Sequence, residues 1–141
     1  MISSMGLPRL VSNNWATGYT LGQPNFSMWT DYVTGLTCLA ILDEQGLFYH
    51  GYVAIENTHP LFACELADIP KWKVHRGVDF CKTVDVYHWI GFHCCHKLDL
   101  APGFTRGKPT DTFRTFSYVQ GECGKLALYL DQHEMNGGET Q

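Results

Sequence analysis

The sequence predicts an α+β domain: an antiparallel sheet of about four strands, one C-terminal helix packed on a face, and an irregular N-terminal arm. Three observations carry this. Two β-rich runs, residues 36–42 and 47–55, flank Asp43-Glu44-Gln45-Gly46, where Gly46 can supply the positive φ a hairpin connection needs. A further run at 87–94 is rich in aromatic and β-branched residues. Finally, Phe116, Val119, Cys123, Leu126 and Leu130 recur at steps of three and four, which makes one apolar helical stripe.

In chain order, residues 1–25 show no period and many Ser, Asn, Gly and Pro residues. They read as an arm laid over the domain through Trp15 and Tyr19. We set the arm at 1–28, a single domain at 29–133 and a fraying tail at 134–141. In the return strand of the hairpin, Phe48, Gly51 and Val53 differ in parity, so both faces should be partly buried. Pro60 lacks a backbone donor and holds His59 extended, which ends that strand. Residues 61–70 read as a connector with a short helical turn. Residues 72–80 read as a third strand around Lys73-Val74-His75, with Gly77 as a bulge, and 81–85 as a link to the fourth strand at 87–94. A loop with Pro102, Gly103, Gly107 and Pro109 follows, and Thr112 or Thr115 caps the helix. Gly121 and Gly124 each cost about 1 kcal/mol in a helix, so this one depends on packing against the sheet. There is no internal repeat.

The 141 residues, 45% hydrophobic and 17% charged, suit one domain with its own core. A net charge of -4 and a pI near 5.9 argue against general nucleic-acid binding, which needs a basic surface. Two local basic groups stand out: Lys71, Lys73 and Arg76, and Arg106 with Lys108. No segment approaches the ~20 apolar residues of a membrane span, and the N-terminus lacks a signal peptide's basic end and apolar run. A cytosolic protein with reduced cysteines is therefore expected. The six cysteines (38, 64, 81, 94, 95, 123) are unevenly spaced and do not resemble a disulfide framework; Cys38 and Cys123 read as small buried residues.

The densest chemistry lies in residues 87–99, Tyr-His-Trp-Ile-Gly-Phe-His-Cys-Cys-His-Lys-Leu-Asp, where a strand gives way to a turn. Strand alternation puts His88, Ile90, Phe92 and Cys94 on one face and Tyr87, Trp89, Gly91, His93 and Cys95 on the other. The candidate catalytic residues are His75, His96, Asp99 and His59. Lys73, Arg76 and Arg106 are placed to neutralise phosphate, with His93 and Trp89 as further ligand contacts, although Trp89 also suits the core. Two histidines facing one pocket can take a proton from a hydroxyl and return one to a leaving oxygen, with Asp99 orienting an imidazole. A metal site is a weaker alternative: no pair has zinc-finger spacing, and Cys94-Cys95-His96 points adjacent side chains apart. Cysteine nucleophile chemistry at Cys94 or Cys95 ranks below the acid–base reading. The histidines can also be satisfied core residues that lock loops.

Several pieces together carry a resemblance: Thr34-Gly35-Leu36-Thr37-Cys38, Gly51-Tyr52-Val53, His59-Pro60, Val74-His75-Arg76-Gly77, Trp89-Ile90-Gly91-Phe92-His93-Cys94-Cys95-His96-Lys97-Leu98-Asp99, and Tyr118-Val119-Gln120-Gly121-Glu122-Cys123 with Leu126-Ala127. In this order, from about residue 29 to residue 131, the chain resembles a family of small uncharacterised proteins encoded by bacteriophages and prophages. The resemblance implies a phage origin and the host bacterial cytoplasm, and it implies no particular reaction. The chain departs from the family at His75-Arg76-Gly77, where His-Gly-Gly is usual. It departs again at Phe92-His93-Cys94-Cys95-His96, where Phe-Asp-Cys-Ala-His is usual, so a role needing a carboxylate at 93 is in doubt.

The expected function is a phage accessory protein, with counter-defence as one use. It binds a small phosphorylated or nucleotide-like ligand at a His-rich pocket; as an enzyme it would be a His-dependent, phosphodiesterase-like hydrolase. The alternative is a non-enzymatic interaction protein that blocks a host factor through its surface. No cofactor is named by these residues, no metal ligand is assigned, and a homo-oligomer is compatible with the sequence.

Overall fold

The computed structural model describes residues 25–43, 48–96, 99 and 111–136. Among the described residues five strands form one sheet: β1 (Phe26–Thr30), β2 (Thr37–Leu42), β3 (Tyr49–Ile55), β4 (Phe80–Val84) and β5 (Tyr87–His93). Their order is β1-β2-β3-β5-β4 and every pair is antiparallel. The helix α1 (Phe116–Met135) packs across β2 and β3. The α+β architecture is the one the sequence predicts, with one strand more.

The β2–β3 hairpin forms as expected, Thr37 opposite Ala54 and Leu42 opposite Tyr49. Its connection at 44–47 lies outside the described residues, as do residues 1–24 of the arm expected at 1–28 and the loop at 100–110. Residues 26–28 of that arm are not irregular but form the start of β1. The extra strand is β1, which pairs Phe26 with Ile41 and Thr30 with Thr37. Its outer positions are exposed, Met28 to 53%, so its sequence carries only a weak period. Asp31 closes the β1–β2 turn by accepting from the Thr34 amide at 2.9 Å and its hydroxyl at 2.8 Å.

The third strand expected at 72–80 does not form, and the expected link at 81–85 holds most of β4. Residues 71–79 are irregular instead, with a turn where Arg76 and Gly77 have φ of +53° and +87°. Trp72 and Val74 are buried on either side of exposed Lys73, which imitates strand alternation. They reach the core as single anchors: Trp72 lies flat on Tyr129 of α1, ring centroids 5.4 Å apart. The connector before them does hold a short helical turn, a 3-10 turn at Leu66–Asp68.

Alternation sets two buried faces. Cys38, Ala40, Leu42, Tyr49, Val53, Ile55, Ile90 and Phe92 meet Val119, Cys123, Leu126, Ala127 and Leu130 of α1. Leu39, Ile41, Tyr52, Ala54 and Trp89 are buried on the opposite face. Each fully buried large apolar side chain contributes about 1.5–3 kcal/mol. Gly51 sits opposite Phe92 and Gly91 opposite Tyr52. A Cβ on Gly51 would strike the Phe92 ring, and one on Gly91 the Tyr52 ring. Thr115 caps α1 by accepting from the Tyr118 amide at 3.2 Å, which fixes where Tyr118 stands in the first turn. Among the described residues, no helix is long and apolar enough to cross a membrane.

Candidate functional site

The polar residues gather where β5 ends. The strand stops at His93, and the Cys94 amide still bonds to Tyr49 O at 2.9 Å. The chain then turns, so His96 and Asp99 leave the sheet plane beside the irregular segment that carries His75 and Asp79. Asp99 is the hub. Its side chain is fully buried and takes three donors: His75 Nε2 at 2.6 Å, the His96 amide at 3.1 Å and Arg114 Nε at 2.8 Å. Burial alone would raise the Asp99 pKa, but the bonds from His75, Arg114 and His96 carry it below the usual 3.8.

The second ring nitrogen of His75, Nδ1, lies 2.6 Å from the Tyr118 hydroxyl. An ionised Asp99 only accepts, so the Nε2 proton of His75 donates to it. In the neutral imidazole Nδ1 then accepts the Tyr118 O–H. The result is a carboxylate–imidazole–phenol relay whose outer end is Tyr118. The Arg114 guanidinium lies over the Tyr118 ring, 5.0 Å from its centroid. Burial, then Glu122, pushes the Tyr118 pKa up against the opposing pull of Arg114.

A second group adjoins the first. Asp79 is shared by two rings, accepting from His93 Nδ1 at 2.6 Å and His96 Nε2 at 2.9 Å. The His93 ring stands edge-on to His50, centroids 4.5 Å apart, and His50 Nε2 bonds Asp43 at 3.0 Å. The rings of His75 and His96 have centroids 6.3 Å apart, but neither lies on a strand and only His75 lines the concavity beside them. The shared pocket between two strands that the sequence suggests is therefore not seen.

Beside the relay lies an open concavity of about 560 Å³. His75, Tyr118, Lys73, Arg76, Arg114 and Lys125 line it, with Glu122 bonded to Lys125 at 2.9 Å. A smaller, more apolar hollow of about 320 Å³ shares Lys73 and Lys125 and adds Leu128 and Tyr129.

No protein-family model, curated protein or solved structure matches the chain. What the site can do rests on its own geometry.

The structure sorts the sequence-derived candidates. His75, His96 and Asp99 join one network, His93 enters it through Asp79, and Lys73 and Arg76 line the concavity. His59 does not join. Its Nε2 donates to Leu130 O at 2.8 Å and its Nδ1 accepts the Leu61 amide at 3.0 Å, which makes it a satisfied buried histidine. Leu130 is twelve residues along α1 from Tyr118, about 18 Å. A four-residue constellation with His59 therefore does not exist. Trp89 is buried on the face away from α1 and does not line the concavity. Arg106 lies outside the described residues. Cys94 is buried and its thiol pushed well up, and Cys95 is raised too, in each case first by burial; neither is poised as a nucleophile.

Sequence reasoning missed Tyr118, Arg114 and Asp79. Tyr118 flanks the apolar stripe one position before Val119, and nothing local marks it as more than a helix-margin residue. Arg114 and Asp79 precede α1 and β4 in irregular chain, where no period constrains direction.

Proposed function

We propose that the protein binds a small phosphorylated or nucleotide-like ligand in the concavity beside Tyr118 and cleaves its phosphoester bond. One observation supports this above the rest. Four cationic side chains, Lys73, Arg76, Arg114 and Lys125, surround the outer end of a buried relay. Arg114 pairs with Asp99 and Lys125 with Glu122. The concentration of positive charge stands out in a chain of net charge -4. The adjoining apolar hollow at Leu128 and Tyr129 has room for a base-like group.

In this reading the cations hold the phosphoryl oxygens and stabilise charge as it develops. His75 has both nitrogens engaged, so it acts through Tyr118. The phenol is uncharged at rest; its proton passes to His75 Nδ1 as its oxygen bonds to phosphorus and the P–O bond to the leaving group breaks. Asp99 stabilises the imidazolium, and the imidazolium gives that proton to the leaving oxygen. Water then attacks the tyrosyl phosphate, losing a proton to His75 that returns to the departing Tyr118 oxygen. The family resemblance extends the proposal to a phage accessory protein acting on host nucleotides or nucleotide signals in the bacterial cytoplasm, counter-defence included. The alternative, an interaction protein, draws on Tyr32 and Val33 at the β1–β2 turn, exposed to 100% and 78%.

Thermal melts with inorganic phosphate and with a nucleoside monophosphate test the binding arm. Wild type should gain stability with ligand concentration, and the Lys73→Ala/Arg76→Ala double variant should not. Hydrolysis of a chromogenic phosphodiester tests the chemical arm, where Tyr118→Phe should still bind and no longer turn over. Melts that no phosphorylated compound shifts would remove the reading and leave the interaction protein.

A further inference from the structure

The connector between β3 and β4 carries a second chemical group, apart from the relay. Cys64, Cys81 and His88 come from three places: the end of the turn at 61–64, β4, and the start of β5. Their sequence spacing, 17 and 7 residues, matches no finger pattern, so only the fold brings them together. Ala63 has φ +63°, a left-handed conformation that costs a non-glycine residue about 1 kcal/mol or more, and it turns the chain immediately before Cys64. In the β4–β5 pair Thr83 stands opposite His88, and Cys81, two residues earlier, shares the face of Thr83. Cys81 Sγ donates to Cys64 O at 3.5 Å, which holds the connector against the strand.

We infer that Cys64, Cys81 and His88 form a binding site for one zinc-class metal ion. The two sulfurs and an imidazole nitrogen lie within 4.8 Å of one another. Zn–S and Zn–N bonds of about 2.3 and 2.05 Å at the tetrahedral angle put sulfur and nitrogen about 3.6 Å apart. Cys64 Sγ and His88 Nε2 are 3.6 Å apart. The imidazole is also aimed. Thr83 Oγ1 lies 2.7 Å from His88 Nδ1, the outer hydrogen bond that fixes ring orientation in metal-bound histidines, and it turns Nε2 toward the thiols. Two thiolates with one imidazole suit zinc over hard, oxygen-loving cations. A disulfide would use the sulfurs and give no role to the directed ring. Cys64 and Cys81 are each partly exposed, so an ion can reach them. The carboxylate of Glu65 adds negative charge close to both Cys81 and His88. Three protein ligands leave the fourth position to water. The ion would clamp the connector to the β4–β5 edge.

The test uses the full chain, reduced and stripped with a chelator, then titrated with Co²⁺ and afterwards Zn²⁺. One Co²⁺ per chain should bind with thiolate-to-cobalt charge transfer and the strong visible bands of a tetrahedral site, and Zn²⁺ should displace it. Cys64→Ser and Cys81→Ser should each lose the charge-transfer band, and Cys95→Ser should keep it. Should the serine variants fail to fold, alkylation of wild type reads the same point: Zn²⁺ should protect Cys64 and Cys81 and leave Cys95 reactive. Absence of the band in reduced wild type, its survival in both serine variants, or equal alkylation with and without Zn²⁺ each overturns the site.

Discussion

His75 Nδ1 and the Tyr118 hydroxyl meet at 2.6 Å across 43 positions of chain, one in an irregular segment and the other in the first turn of α1. The contact closes a relay that begins at a carboxylate with no solvent exposure. It joins the segment before β4 to the helix, so the same hydrogen bond holds the fold together and is the one the proposed proton transfer would use.

Tyr118→Phe should therefore cost stability as well as turnover. Removing the hydroxyl leaves a buried ring nitrogen without a partner, a loss of about 1–3 kcal/mol. Tyr32→Phe is the control, because that side chain is fully exposed and should be neutral. Denaturant midpoints for the two variants check this; equal midpoints would show that the His75 contact supports nothing.

Stability should fall in two stages as the solution is acidified. His50 and His133 are both held below the usual histidine value of 6.5, chiefly by burial, and neither Nδ1 has a partner among the described residues. His50 keeps this direction despite Asp43 and Asp79, with His93 adding to it; His59 adds to it for His133. The unfolded chain takes up these protons more readily, so their contribution is full above about pH 6.5 and declines below it. Asp99 is depressed below 3.8, so its contribution is present above that value and is lost as pH falls through the lower folded value. Melting curves from pH 8 down to 2 should show both declines, and Asp99→Asn should lack the second. A midpoint that rises between pH 7 and 5 would contradict the first.

Arg76 occupies a backbone conformation that glycine adopts more easily, φ +53°. Arg76→Gly relieves about 1 kcal/mol of local strain, while Arg76→Ala keeps it. The glycine variant should melt at or above the alanine variant. Both should bind phosphate more weakly than wild type. A glycine variant that melts below the alanine variant would mean that the turn is not strained.

His96→Ala should change stability by no more than about 1 kcal/mol, since its ring is 35% exposed and pairs with Asp79, itself 28% exposed. Leu126→Ala, in the fully buried stripe, should cost about 2–5 kcal/mol. Thermal melts of the two side by side make the comparison. Comparable losses would make His96 a structural residue.

The parts of the fold that were legible are those where burial has one clear period. The α1 stripe and the β2–β3 hairpin bury whole faces, and their spacing shows it. β1 and β4 lie at the edges of the sheet, where Met28 and Lys82 face out and half the period is lost. The segment at 72–80 misleads for the opposite reason: Trp72 and Val74 are buried alternately without any strand partner. In the site, His75, His96 and Asp99 are readable as a dense group of polar residue types, and the fold joins them in one hydrogen-bond network. Tyr118, Arg114 and Asp79 are common surface residues made important only by which neighbours the fold delivers. His59 shows the converse: a chemically suggestive residue whose two hydrogen bonds are both spent on backbone.

Because α1 follows every described strand, one late-made element has two duties. During synthesis the β1–β2–β3 meander and the β4–β5 hairpin can emerge and pair while the apolar face around Val53 and Phe92 still waits for its cover. The same twenty residues that supply the cover also bring Tyr118 to His75. A chain that stops before residue 116 therefore leaves that face uncovered and His75 without its Tyr118 partner.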